Sequence, residues 1–531
     1  MRKQTKLVAV LSAAALLAMG ASMTSFAAGW EKDDAGVWHY YDKDDEMVTG
    51  EWRKDGAKWF YLDEDGDMLT DSWVDDEYYV GADGAMLVNQ WAKTASEDAV
   101  DDPDEDGDHW FYFGSKGKKI SNDKKKIGGK TYFFNEDGEM LSGWYAPNGK
   151  DGEVYFLGEE DEGWRAENQW LWLERPTDED TDDYEWSDEG CNIGCDDEGW
   201  YWFGSDGKMF RDAKKKKRIN GKDYYFNAHG QMLYEWINTK ANDENMIDGI
   251  VAEGEASSSD ANVASASTPE EKNSYMVDTM RYANQVEDGS RTNGWYEIAG
   301  SEDAGTDGDT DWYFFKDGKA KKAGDSDKLS GITDDGKPVY RARIKCNGKY
   351  FCFNELGQMQ TGLQLIGGYF YYFDDNGYMK TGKVADVEED DDDVYTYYFE
   401  TKNGGNGKGI TAVKDGYLYW NGKRVEADDD YVVVYTGRDY YLVNSKGKVQ
   451  KTSKKYTLDS RGDEFYVEID KGKVKGFGTE KGNLNELNVD TLITEDDILA
   501  EIANDNLWIP SIDLYDCKYV PFGTPFSYIT K

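Results

Sequence analysis

Between Gly50 and Trp73 the chain runs through one complete cycle of apolar and polar positions. The aromatic stretch Trp59-Phe60-Tyr61-Leu62 is followed by the acidic turn Asp63-Glu64-Asp65-Gly66. Met68 and Leu69 come next, and a short polar step leads into Trp73. Aromatic residues favour strands, and Asp-Gly supplies the positive φ of a tight turn. The cycle therefore predicts a β-hairpin of roughly twenty residues, a length typical of repeat architectures.

The cycle recurs. A Gly followed two residues later by Met occurs at Gly66/Met68, Gly84/Met86, Gly138/Met140, Gly207/Met209, Gly230/Met232, Gly357/Met359 and Gly377/Met379, with Asp45/Met47 as a variant. These steps hold 8 of the 14 Met residues, so the register is not a product of composition. Four residues before each step sits a strand residue: Tyr41, Leu62, Val80, Phe134, Phe203, Phe226, Phe353 or Phe373. Turn length and strand phase repeat together. The prediction is an all-β solenoid in which each hairpin packs on its neighbours.

The repeat resembles the cell-wall-binding repeat family, which includes choline-binding modules and related glucan-binding repeats. That family's unit is approximately Gly-Trp, a spacer, Trp-Tyr-Tyr, a turn ending in Gly, then Met and Thr-Gly. Here Gly29-Trp30, Trp38-His39-Tyr40-Tyr41, Met47 and Thr49-Gly50 match it, as do Ser142-Gly143-Trp144, Asn293-Gly294-Trp295 and Met359-Gln360-Thr361-Gly362. The resemblance covers roughly residues 29–236 and 293–450.

In chain order, residues 1–28 read as a signal peptide. Arg2, Lys3 and Lys6 precede the apolar run from Leu7 to Gly20, and Ser25-Phe26-Ala27 offers a cleavage site. Residues 29–237 form a first repeat array. An acidic loop, Asp102-Pro103-Asp104-Glu105-Asp106-Gly107-Asp108, interrupts it. Its carboxylate spacing resembles the start of a calcium loop, but Phe113 stands where the closing Glu belongs. An acidic hairpin lead-in is the better reading there and at Asp63–Asp67. Lys214–Arg218 reads as a solvated loop, with contact to an anionic polymer as the alternative. Residues 238–292 form a Ser/Ala-rich linker, with a short helix expected from Thr268 to about Asn284. Residues 293–450 are a second, degenerate array. Residues 451–531 are a small mixed region of unassigned role, with a strand at 465–469 and a capped helix beginning at Thr494.

Composition narrows the function. The chain carries 107 acidic against 61 basic residues, a net charge of −46. Such a surface disfavours nucleic acid. Aromatic residues make up 15%, too many for a disordered chain. No later stretch is apolar enough to span a membrane. Five Cys cannot all pair internally. Cys191 and Cys195 are close enough to pair. The Asn347-Gly348 turn sets Cys346 opposite Lys349 rather than opposite Cys352. His39, His109 and His229 are the only histidines, and no hydrolase or phosphate-loop motif is present. The regions outside the repeats are short for a catalytic domain. These features predict a protein without catalytic residues, cofactor or metal.

A quaternary ammonium is held by the faces of several aromatic rings. The resemblance implies cages in which two rings come from one hairpin and one from the next. Matching the motif gives two candidates: Trp30 and Trp38 with Tyr61, and Trp52 and Trp59 with Tyr79. The same rings can serve as a sugar platform. The expectation is a secreted, cell-surface, non-catalytic protein whose partner is a cell-wall polymer bearing choline or sugar groups. A polysaccharide-binding adhesin and an accessory subunit of a wall hydrolase are the alternatives.

Overall fold

The computed structural model describes residues 29–95, 107–149, 152–176, 195–213, 215–238, 247–248, 280–300, 310–324, 327, 329–333, 338–390, 393–402, 406–427, 429–436, 439–457, 464–485 and 517–518. The signal segment, the loop carboxylates at 102–106, the Ser/Ala-rich run and the helix expected from Thr494 lie outside them. The chain divides into two compact units. The first comprises residues 1–217, 226–232 and 286–288, and the second comprises 218–225, 233–285 and 289–531.

The described residues build antiparallel β-structure divided among many small sheets, most of them two- or three-stranded. In the first unit, strands Glu51–Asp55 and Lys58–Leu62 form a hairpin with the register Glu51↔Leu62, Trp52↔Tyr61 and Lys54↔Trp59. Gln90–Thr94 pairs His109–Phe113, and Asp123–Ile127 pairs Lys130–Phe134 in the same way. In the second unit Gly294–Ala299 pairs Thr310–Lys316, and Ala342–Cys346 pairs Lys349–Phe353. Among the described residues no helix is long and apolar enough to cross a membrane.

Many of the turns that follow an aromatic strand have a built-in cap, whereas those after Val80, Phe113 and Phe203 begin with glycine. The Asp63 side chain accepts hydrogen bonds from the backbone N–H groups of Asp65 and Asp67. Asp42, Asn227, Asn354, Asp374 and Asn444 do the same in their turns. An Asx side chain that bonds the backbone two and four residues on fixes the turn. The strand residue and the Met six places later then face each other, as in the pairs Tyr41↔Met47, Leu62↔Met68, Val80↔Met86, Phe134↔Met140 and Phe203↔Met209. The acidic turn at Asp63 thus spends a carboxylate on its own backbone.

Two contacts carry one hairpin to the next. The Met68 amide donates to the Trp38 carbonyl of the preceding hairpin, Met86 to Trp59 and Met140 to Trp110, each at 2.8 Å. The Met side chain packs on the turn glycine of the following hairpin: Met47 on Gly66, Met68 on Gly84, and Met209 on Gly230. Gly84 shows why that residue must lack a side chain. Its φ is +73°, and a Cβ there would lie 2.6 Å from Met68 Cε. The Gly-x-Met step is therefore two halves of successive interlocks.

Along each strand the faces alternate. Phe60 and Leu62 point inward and are buried, as are Phe111 and Phe113, Phe351 and Phe353, and Phe370 and Tyr371–Phe373 in part. The core is a series of local clusters rather than one centre, for example Trp30, Phe60, Leu62, Met68 and Ala85. Aromatic side chains supply most of this burial, each hiding on the order of 150–250 Å².

Three expectations meet the structure directly. The helix expected to reach Asn284 is not there in its described part. Met280–Tyr282 is a strand paired with Trp236–Asn238, in the register Trp236↔Tyr282. The Tyr282 ring packs edge-on against Trp236, with centroids 4.9 Å apart, and that cross-strand contact outweighs a weak helical preference. Cys346 does face Lys349, and Arg343 faces Cys352; both cysteines are free and buried. Cys195 is disulfide-bonded. In the terminal region the strand at 465–469 lies within Glu464–Asp470, part of a four-stranded sheet with Lys454–Thr457, Lys473–Glu480 and Asn483–Asn485.

Candidate functional site: aromatic steps between hairpins

Each hairpin has an outer face and an inner face. In hairpin 51–62 the pairs Trp52↔Tyr61 and Lys54↔Trp59 place those four side chains on one face, while Arg53, Phe60 and Leu62 occupy the other. The outer face of one hairpin receives the inner face of the next. Trp30 packs edge-on against Tyr40 of its own hairpin, with centroids 5.2 Å apart, and against Phe60 of the next at 5.5 Å. Trp52 packs on Tyr61 at 5.2 Å and on Tyr78 of the next hairpin at 5.4 Å. The step repeats as Trp73 with Tyr79 and Phe111, Trp91 with Tyr112 and Tyr132, and Trp144 with Phe156 and Tyr201. In the second unit Trp236 packs on Tyr282 and Tyr313, and Trp295 on Phe314 and Phe351.

Trp30 and Trp38 share an outer face, as do Trp52 and Trp59. The ring that the following hairpin brings to Trp30 is Phe60, and the ring brought to Trp52 is Tyr78. Tyr61 and Tyr79 sit one residue further along, on the outer faces of their own hairpins. Tyr61 packs on Trp52, and Tyr79 on Trp73. Matching the motif by position alone could not tell adjacent residues apart. A one-residue slip in a strand changes the face, and only the packing of successive hairpins shows which face meets the earlier ring.

The steps differ in how open they are. Trp30 and Phe60 are nearly covered, at 7% and 3% exposure, whereas Trp59 is 39% exposed and Trp52, Tyr61 and Tyr78 are half-buried. Burial raises the Tyr61 phenol above its ordinary value, helped by Asp75, Glu64 and Asp63. Opposite Trp38, Trp59 and Trp110 lies a lysine. Lys32 Nζ is 5.6 Å from the Trp38 ring, Lys54 Nζ 5.7 Å from Trp59, and Lys93 Nζ 6.0 Å from Trp110. At the last of these, Asp161 accepts from both Lys93 Nζ and Trp110 Nε1 at 2.9 Å. Those two bonds, Lys93 first, hold the Asp161 carboxyl below its ordinary value. Among the described residues no group of His, Cys, Asp and Glu is placed to hold a metal ion.

Models of choline-binding repeats match residues 46–86, 67–94 and 121–170, and a cell wall binding repeat matches 105–119, 195–209, 217–232 and 361–379. Over these stretches the chain carries repeats of the choline-binding, cell-wall-binding family. Solved structures with a similar arrangement come from Streptococcus pneumoniae. One is the modular autolysin LytC, at 17% identity and a TM-score of 0.32, covering 68% of this chain and 55% of the autolysin. The choline-binding domain of CbpL is 23% identical, with a TM-score of 0.24, over 39% of this chain and 97% of that domain. Choline binding protein F is 17% identical, with a TM-score of 0.25, over 76% of this chain and 99% of that protein. This chain thus spans about half the length of the autolysin it resembles. No curated protein gave a match.

The aromatic step was legible as composition and spacing. The residues opposite the outer Trp were missed. Their signal is a charged residue two places after the first-strand Trp, in Trp30-Glu31-Lys32, Trp52-Arg53-Lys54, Trp91-Ala92-Lys93 and Trp295-Tyr296-Glu297.

Proposed function

We propose that this is a secreted, non-catalytic protein that attaches to the cell wall through the outer faces of its hairpins. The observation that carries the reading is the recurring aromatic step, with two rings from one hairpin and a third from the next. Such a step offers π faces to a choline-type cation or a flat apolar patch to a sugar ring. Of the sequence-derived pairs, Trp52 and Trp59, with Tyr78 of the next hairpin on Trp52, make the more open step, and Trp30 with Trp38 the more covered one. Tyr61 and Tyr79 act as the second rings of their own hairpins. The partner is a wall polymer bearing choline or sugar groups. Residues 1–28 act as the export signal, and retention on the cell rests on the repeats.

Adsorption of the purified mature chain to isolated walls tests this reading. The protein should bind, elute with choline or a competing polysaccharide, and leave the walls unlysed on a zymogram. Trp59→Ala should weaken retention about two- to thirtyfold, the effect of losing a contact worth roughly 0.5–2 kcal/mol. Wall lysis by the pure chain, or no adsorption, would overturn the proposal.

A further inference from the structure

The aromatic steps are alike in ring geometry and opposite in charge at one position. In three hairpins of the first unit the residue directly across from the outer Trp is lysine: Lys32↔Trp38, Lys54↔Trp59 and Lys93↔Trp110. In the second unit the same place is taken by glutamate, in the pair Glu297↔Trp312. Trp295, Glu297, Trp312 and Phe314 share one face of that hairpin, since cross-strand partners and residues two apart point the same way. Phe351 of the following hairpin closes on Trp295, with centroids 4.5 Å apart. Trp312 is the more open of the two outer Trp rings compared, at 43% exposure against 39% for Trp59, and Glu297 is exposed.

We propose that this charge sorts the ligands: the Trp295–Trp312–Phe351 step with Glu297 is a site for a quaternary ammonium, whereas the steps bearing Lys32 and Lys54 reject that cation. The proposal rests on the wall-binding reading above and assigns the ligand class to particular hairpins. A trimethylammonium has no proton to donate, so it is held by π faces and by a nearby negative charge. Glu297 supplies that charge beside two Trp rings. Lys32 and Lys54 do the opposite. Each places an ammonium within 5.7 Å of the ring that a ligand cation would cover, so the chain's own cation competes for the face and repels another. Those steps suit a neutral ring or a ligand carrying an anionic group. The Lys93 step is a mixed case, because Asp161 accepts from both Lys93 and Trp110 there.

Equilibrium dialysis of the mature chain with choline, and with its uncharged isostere 3,3-dimethylbutanol, tests the sorting. Glu297→Lys should weaken the tightest choline site by about tenfold or more and leave the isostere unchanged, with Glu297→Gln between the two. Lys54→Glu should add a choline site. Both residues are exposed, so the variants are expected to fold, which circular dichroism checks. If the wild-type chain takes up choline but Glu297→Lys does not alter it, or Trp59→Ala rather than Trp312→Ala abolishes the tightest site, the sorting is wrong while wall binding stands. If the wild-type chain takes up no choline at tens of millimolar, both fall.

Discussion

Hairpins 51–62 and 342–353 have the same strand lengths, the same two-residue turn and the same register. Their inner faces are equivalent: Phe60 and Leu62 in one, Phe351 and Phe353 in the other, all buried. Their outer faces diverge. Where the first has Trp52 opposite Tyr61, the second has Arg343 opposite Cys352. The Arg343 guanidinium lies 4.7 Å from the Tyr350 ring and 5.0 Å from Tyr371 of the next hairpin, and it donates to the Asn406 carbonyl. The aromatic step is present in both, but in the second the chain's own cation fills it. The inner face holds the solenoid together and tolerates little change in shape. The outer face is free to present rings, cover them or charge them. Binding capacity is thus a property of individual hairpins, not of the repeat as such.

The largest effect that probes this division is on the inner face. Phe353→Ala should cost about 3–5 kcal/mol, because Phe353 is fully buried and leaves a cavity among Cys346, Phe351 and Trp295. Hydrogen exchange should show the loss concentrated in its own and adjoining hairpins, since the contacts are between neighbours. Uniform loss through both units would break the comparison.

Next come the interlocks. Gly84→Ala meets both a left-handed backbone and the Met68 side chain, and should destabilise by about 2–3 kcal/mol. Gly56→Ala has φ of +55° but nothing within 4 Å of a new Cβ, so its cost should stay near 1 kcal/mol. Equal effects on local exchange rates would mean that the Met contact contributes nothing.

Opening the filled step is smaller still. Arg343→Leu removes two cation–π contacts and should cost about 1–2 kcal/mol. If the guanidinium is what closes this step, added choline should restore part of that loss in the variant and none in the wild type, as read from the melting temperature.

The smallest effect is on pH. Burial, with the charges of Arg211 and Arg175, pushes His229 down to about 4. Its ring lies against Cys195 Sγ at 3.1 Å. Below its unfolded value the unfolded chain binds a proton that the folded chain does not, so stability is full above about pH 6.5 and falls as pH drops toward 4. Because the ring is only half-buried the loss should be about 1 kcal/mol after solvent screening. His229→Gln should flatten that part of the stability curve of the first unit.

The chain's sequence determined more of the architecture than of the site. Strand, turn and step were readable because each is local: Trp59–Leu62 favours a strand, Asp63 caps its own turn, and Gly66 takes the positive φ. Their repetition named the all-β solenoid. The strand at Met280–Tyr282 was hidden because its partner, Trp236, lies more than forty residues away, and short segments take their structure from such partners. The ring facing Trp30 was hidden for a related reason. Adjacent strand residues Phe60 and Tyr61 are both aromatic and differ only in the face they occupy. Which face meets the previous hairpin is set by the Met68-to-Trp38 hydrogen bond and by Met47 lying on Gly66, contacts between residues that spacing alone cannot pair. The charge across each outer Trp was written in plain sequence at Lys54 and Glu297, yet only the cross-strand register gave it a place beside a ring.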